Sequence, residues 1–163
     1  MVVKSEPLIR RAKKPGEFVF MADLAVGAWK TAARHIQLTD ESRAVLKAKF
    51  LRDLNENADG VLVAELQSEI SGWGARVPKS NYISDLWVDP AYQGRGLGGL
   101  LLNALMSQIL LDGFAEAEIG THADNLPAIS LYRKAGFTIY QKEEEWSESF
   151  GSEVEKVRMR VSL

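Results

Sequence analysis

The chain has 163 residues, 46% of them apolar and 26% charged, the size and composition of one ordinary globular domain. It has no cysteine, which excludes a cysteine nucleophile, a disulfide framework and any thiolate-held zinc or iron–sulfur centre. A net charge of −2 gives no general reason to expect a nucleic-acid partner. No apolar run reaches the ~18 residues of a membrane span, and Met1–Arg11 lacks the core of a signal peptide. The expectation is a single cytoplasmic domain over residues 1–163 with no membrane or nucleic-acid partner, either a monomer or a homodimer.

Leu8-Ile9-Arg10 reads as a short strand, broken by Pro15-Gly16. The basic run Arg10 to Lys14 reads as a strand end and a solvated turn in preference to an interaction patch. Phe18, Met21, Leu24, Ala25, Ala28 and Trp29 recur at helical spacing within 17–34. Thr39 is placed to cap a second helix whose stripe is Val45, Leu46, Phe50 and Leu54. The period then changes. Val61 to Leu66 is a β-branched run, joined through Gln67-Ser68 to a strand over Glu69–Val77. Pro78 to Asn81 is a turn, Tyr82–Val88 a third strand of this group, and Asp89-Pro90 its stop. An amphipathic helix from Leu97 ends near Asp112-Gly113. Ala115–Thr121 is a strand, Leu126–Ala135 a short helix, and Phe137–Glu145 and Val154–Val161 are strands separated by an exposed Ser147–Ser152 loop. The order β-α-α-β-β-β-α-β-α-β-β predicts a mixed α/β (α+β) fold: a mostly antiparallel central sheet with helices on both faces. One crossover makes the strands at about 82–88 and 117–121 parallel neighbours.

The informative stretch is Gln93-Gly94-Arg95-Gly96-Leu97-Gly98-Gly99, between a strand and a helix. Glycines there let backbone N–H groups approach an anion, the helix N-terminus adds a favourable dipole, and Arg95 a cation. Four glycines in six residues are costly to order, roughly 0.5–1 kcal/mol each relative to alanine, and a plain turn needs one or two. Phosphate binding is the better reading. Gly94, Gly96 and Gly99 satisfy G-x-G-x-x-G, but Asp89–Gln93 separate them from the strand and too little chain follows for a doubly wound sheet. No G-x-x-x-x-G-K-[ST] motif is present.

Val88-Asp89-Pro90-Ala91-Tyr92-Gln93-Gly94-Arg95-Gly96-Leu97-Gly98 resembles the acetyl-CoA signature [QR]-x-x-G-x-[GA] of the GNAT superfamily of N-acetyltransferases, with Gln93, Gly96 and Gly98 in its fixed places. A second block, Asn125 through Tyr132 to Gly136-Phe137, is similar to the same family's N-x-x-A-x-x-x-Y-x-x-x-G-F segment. The resemblance is strongest over 82–137. It implies that the two parallel strands splay and that the pantetheine arm of acetyl-CoA lies between them like an added strand. The cofactor residues it implies are Leu86, Trp87, Val88, Gln93, Gly94, Arg95, Gly96, Leu97, Gly98 and Asn125, with no metal. Asn125 reads equally as a helix cap, and the two roles are compatible.

The resemblance also implies direct transfer of an acetyl group to a primary amine in a ternary complex. Tyr132 matches the tyrosine whose hydroxyl sits near the CoA sulfur and can protonate it, although its spacing alone suits a packing residue. Asp85, mid-strand, is the candidate base, with Glu118 and His122 as weaker options. The branch that resembles ribosomal-protein N-terminal acetyltransferases carries a glutamate where this chain has Gly120, so this chain departs from that branch. The acceptor is a small-molecule or peptide amine, its pocket expected from the first two helices, the Pro78–Asn81 turn and the Ser147–Ser152 loop. The alternative is a GNAT-like domain that binds acyl-CoA for regulation without turnover.

Overall fold

The computed structural model describes residues 6–13, 15–33, 36–147 and 151–163. Seven strands and four α-helices follow the expected order: β1 (Leu8–Arg11), α1 (Phe18–Ala32), α2 (Asp40–Glu56), β2 (Leu62–Leu66), β3 (Glu69–Arg76), β4 (Tyr82–Val88), α3 (Leu97–Leu111), β5 (Glu116–His122), α4 (Leu126–Lys134), β6 (Thr138–Ser147) and β7 (Ser152–Ser162). They form one open sheet in the order β1-β2-β3-β4-β5-β7-β6. Every neighbouring pair is antiparallel except β4 and β5.

Local chemistry accounts for the boundaries. The Thr39 hydroxyl accepts the Ser42 N–H at 3.0 Å and starts α2. Gln67 and Ser68 both adopt positive φ (54° and 65°), the two-residue hairpin geometry that matches strand twist. Glu17 begins α1 without capping it. Its carboxylate instead accepts the Lys13 N–H at 2.7 Å and pairs with Arg10 at 2.7 Å, while Arg10 also reaches Glu65 at 2.9 Å. The basic run is thereby partly neutralised by β2 and α1; Lys14 lies outside the described residues. The strands at the end of the chain are longer than their sequence suggests. Ser147 and Ser152 form the last rung of the β6–β7 ladder, so the expected loop shrinks to 148–151, of which 148–150 lie outside the described residues.

The core lies on both faces of the sheet. On one face Phe18, Met21 and Trp29 of α1 and Leu46, Phe50 and Leu54 of α2 bury Val63, Trp73 and Ala75. The Trp73 indole N–H donates to the Met21 carbonyl at 2.8 Å, which satisfies the one polar atom of a wholly buried ring. On the other face Leu101, Leu105 and Ile109 of α3 and Ile129 and Tyr132 of α4 cover Ile83, Ala117, Ile119, Val157 and Met159. Among the described residues no helix is long and apolar enough to cross a membrane.

Candidate active site

The site begins with an extra residue. Ala75 pairs with Asp85 but Arg76 pairs with Ile83, so Ser84 is a bulge in β4. A bulge shifts the inside–outside alternation by one. Ile83 therefore faces α3, while Asp85, only two residues on, faces α2. Beyond the bulge β4 and β5 part. Their parallel pairing is two rungs, Tyr82 with Glu118 and Ile83 with Ile119, and a wedge-shaped gap opens toward the C-terminal end of β4.

The phase of the β3–β4 ladder sets what lines this gap. The Asp89 N–H donates to the Ser71 carbonyl at 2.9 Å, and in an antiparallel pair hydrogen-bonded positions alternate. Trp87 and Asp85 thus spend their backbone groups on β3, whereas those of Leu86 and Val88 point into the gap. The Val88 carbonyl accepts the Gln93 side-chain amide there at 3.3 Å. Trp87 differs from the residues it was grouped with, because its ring packs edge-on against Phe50 of α2 at 5.2 Å, on the face away from α3.

The wide end of the gap meets the glycine turn. Gly94 and Gly96 take φ of +78° and +81°, the left-handed region that a side chain disfavours. Gly96 caps α3 in this conformation with open space around it. The amides that follow head a helix whose first turn holds no acidic residue, a favourable setting for an anion. Gln93, Gly94, Arg95 and Gly96 are exposed, and Arg95 lies over the Tyr92 ring at 5.4 Å. Leu97 turns its side chain into the core, so it offers only its backbone. Asn125 caps α4, accepting the Ala128 N–H at 3.4 Å, and donates to the Thr121 hydroxyl at 3.0 Å. Thr121 had no signal in the sequence.

The two candidate catalytic side chains occupy opposite faces. Tyr132 comes from α4, 5% exposed, and its hydroxyl makes no side-chain hydrogen bond among the described residues. Burial, and secondarily the nearby Tyr82 phenol, raise its pKa well above the usual tyrosine range. Asp85 is 3% exposed under α2. It accepts the Ser84 hydroxyl at 2.9 Å and the Trp87 indole N–H at 3.1 Å. Burial raises its pKa, and those two donors together with Lys49 oppose the rise. Glu118 and His122 lie on the α1 side of β5, and the His122 ring meets Trp29 edge-on at 6.2 Å. No cluster of three or more potential metal-ligating side chains occurs among the described residues.

An open mixed sheet, a bulged strand that parts from its parallel neighbour, and a glycine turn heading α3 at the mouth of that gap define a GNAT-type fold. The family model described as the acetyltransferase (GNAT) family matches residues 21–137, and the chain belongs to that family. A mycothiol acetyltransferase of Clavibacter michiganensis is 38% identical over 84 residues, 52% of this chain and 26% of that protein. The N-alpha-acetyltransferase RimI of Mycobacterium tuberculosis is 41% identical over 68 residues, 42% of this chain and 41% of that protein. The chain thus spans about a quarter and two fifths of these relatives. Two solved structures share the fold at low identity. A GCN5-related N-acetyltransferase from Rhodopseudomonas palustris superposes with TM-score 0.80 at 22% identity, covering 100% of this chain and 99% of that one. The yncA protein of Salmonella typhimurium, solved with acetyl-CoA, gives 0.69 at 24%, covering 98% and 95%.

Proposed function

We propose that this protein is an acetyl-CoA-dependent N-acetyltransferase that moves the acetyl group to a primary amine by direct transfer in a ternary complex. The observation that carries the reading is the β4–β5 gap, with the backbone of Leu86 and Val88 facing it without a strand partner there and the Gly94–Gly98 turn at its mouth. Leu86 and Val88 would bond the pantetheine amides as a neighbouring strand would. The amides of Arg95 to Gly98, with Gly94 and Arg95 itself, would hold the pyrophosphate, Gln93 would shape the turn, and Asn125 would contact the arm beside Thr121. Trp87 would act by holding β4 against Phe50. The acceptor is a small-molecule or peptide amine, and no step needs a metal. The names of the relatives favour transfer over acyl-CoA binding alone.

Chemically, a neutral amine attacks the thioester carbonyl, the C–N bond forms, the C–S bond breaks, and the proton lost by nitrogen ends on sulfur. Holding both partners in line supplies about 7–11 kcal/mol of such a barrier. The Tyr132 phenol, kept neutral by burial, acts as a hydrogen-bond donor to the sulfur. Its raised pKa makes complete transfer to a thiolate of pKa about 8.5 uphill, so Tyr132 stabilises developing charge and the net proton comes from the amine. The Asp85 carboxylate, behind β4, is the base that takes up the amine's proton through intervening groups before that proton passes to the thiolate.

Calorimetry with acetyl-CoA and CoA, followed by thiol release against a panel of amines, tests the assignment. Binding and turnover are expected. Tyr132→Phe should lower turnover about 10- to 100-fold while acetyl-CoA affinity stays within about twofold. A wild-type protein that binds neither CoA nor acetyl-CoA overturns the proposal.

A further inference from the structure

Gly120 lies in the interior of β5, one residue past the last β4–β5 rung. A Cβ placed there would meet the Tyr82 hydroxyl at 2.8 Å and the Val157 carbonyl at 3.4 Å. Interior strand glycines mark such close approaches. Tyr82 therefore lays its phenol across β5 at the narrow end of the gap, on the face opposite Ile83. The Arg158 guanidinium lies 5.9 Å from its ring centre and is tied at 3.1 Å to Glu143. The phenol is held between strands β4, β5 and β7. Tyr132 comes from α4 on the Ile83 face, near enough for the Tyr82 phenol to oppose its ionisation.

The gap consequently has a polar mouth and an aromatic floor. From Ile83 to Val88 it runs five residues, about 17 Å at ~3.3 Å per residue. A ligand with its phosphates at the Gly94–Gly98 turn and its arm beside Leu86 and Val88 ends at Tyr82 and Tyr132. Resting on the function proposed above, we infer that Tyr82, seated over Gly120, is a specificity-determining residue that limits the acyl group to about the length of acetyl. The side-chain-free position 120 and the phenol above it form one device: the glycine admits the ring, and the ring closes the floor.

In open apolar space each added methylene strengthens binding about fourfold; a wall reverses that trend. Calorimetry with CoA and its acetyl, propionyl and butyryl thioesters reads the difference without knowledge of the acceptor. Wild-type protein should bind butyryl-CoA at least tenfold more weakly than acetyl-CoA. Tyr82→Ala should bring the two within about threefold, Tyr82→Leu should admit propionyl-CoA, and Tyr82→Phe, which keeps the ring, should retain the wild-type preference; affinity for CoA itself should be the same in all. Equal wild-type affinity for acetyl- and butyryl-CoA overturns the inference. So does an unchanged preference in Tyr82→Ala, or loss of CoA binding in both Tyr82→Ala and Tyr82→Leu, which would make the ring part of the scaffold. If Tyr82→Ala alone loses CoA binding, Tyr82→Leu decides. Failure of the wild-type protein to bind any of the four ligands is a separate result and removes the underlying function instead.

Discussion

From β1 to β4 the sheet is covered on both faces, by α1 and α2 above Val63, Trp73 and Ala75 and by α3 below Leu62 and Ala64. From β5 through β7 to β6 it is covered on one. Ala117, Ile119, Val157 and Met159 lie under α3 and α4, while the buried cluster beneath α1 and α2 contains no residue of β5, β6 or β7. That open face instead carries Glu118, Arg158, Arg160 and Lys156, with Arg158 and Lys156 paired to Glu143 and Glu145 of β6. Apolar burial is the main source of stability, and exposed ion pairs contribute about 0–1 kcal/mol each. The covered half therefore supplies the scaffold. The half-covered half leaves a polar surface beside the gap.

Three substitutions sharpen this contrast. Trp73→Ala, in the covered half, removes a wholly buried ring and its bond to Met21. It should cost about 3–5 kcal/mol in a urea melt; a loss below about 1 kcal/mol would dissolve the distinction between scaffold and open face. Gly96→Val acts at the seam between the halves. Its φ of +81° makes the local strain roughly 1–2 kcal/mol, which the fold should survive. CoA affinity by calorimetry should fall at least ~100-fold because the turn can no longer present its amides. Unchanged affinity would detach the glycine turn from ligand binding.

The smallest effect belongs to Asp85→Asn. The Asp85 carboxyl titrates above its ordinary 3.8, chiefly through burial, so the folded chain holds this proton more tightly than the unfolded chain. Its contribution is full below about 3.8 and is lost as pH rises through the raised folded value. Asparagine keeps one acceptor oxygen for the Trp87 N–H and turns its amide nitrogen toward the Ser84 hydroxyl oxygen, and it has no proton to lose. The melting temperature of the variant relative to wild type should climb across that window and then level off. A difference that stays constant from about pH 4 to about pH 8 would show that burial does not govern this carboxyl.

Much of this architecture was legible in the sequence because its signals are local. Thr39 caps, Gln67-Ser68 turns, and the change from helical to alternating periodicity after Gly60 all act within a few residues. The mouth of the site was legible for the same reason, since its glycines are contiguous. The floor was not. Ser84 becomes a bulge only through the register of β3 against β4, and that register decides that Leu86 and Val88 face the gap while Trp87 faces Phe50. Tyr82 meets Gly120 across two strands separated by a helix, and neither residue carries a neighbouring mark of the other. The ends of β6 and β7 were misjudged because serine and glutamate at a hairpin tip look like loop until a partner strand is known.

The two-rung contact between β4 and β5 has a consequence for amide exchange. Backbone pairing holds the halves of the sheet together over Asn81 to Ile83, where the Glu118 N–H donates to the Asn81 carbonyl at 2.9 Å, and α3 bridges them through its core-facing side chains. The amide protons of Leu86 and Val88 have no ladder partner on the gap side, so they exchange with solvent by small local openings, while that of Trp87, bonded to β3, requires the scaffold to loosen. A molecule lodged in the gap as proposed would act as the missing strand, slowing exchange at alternate residues of β4 and knitting two semi-independent sheets into one.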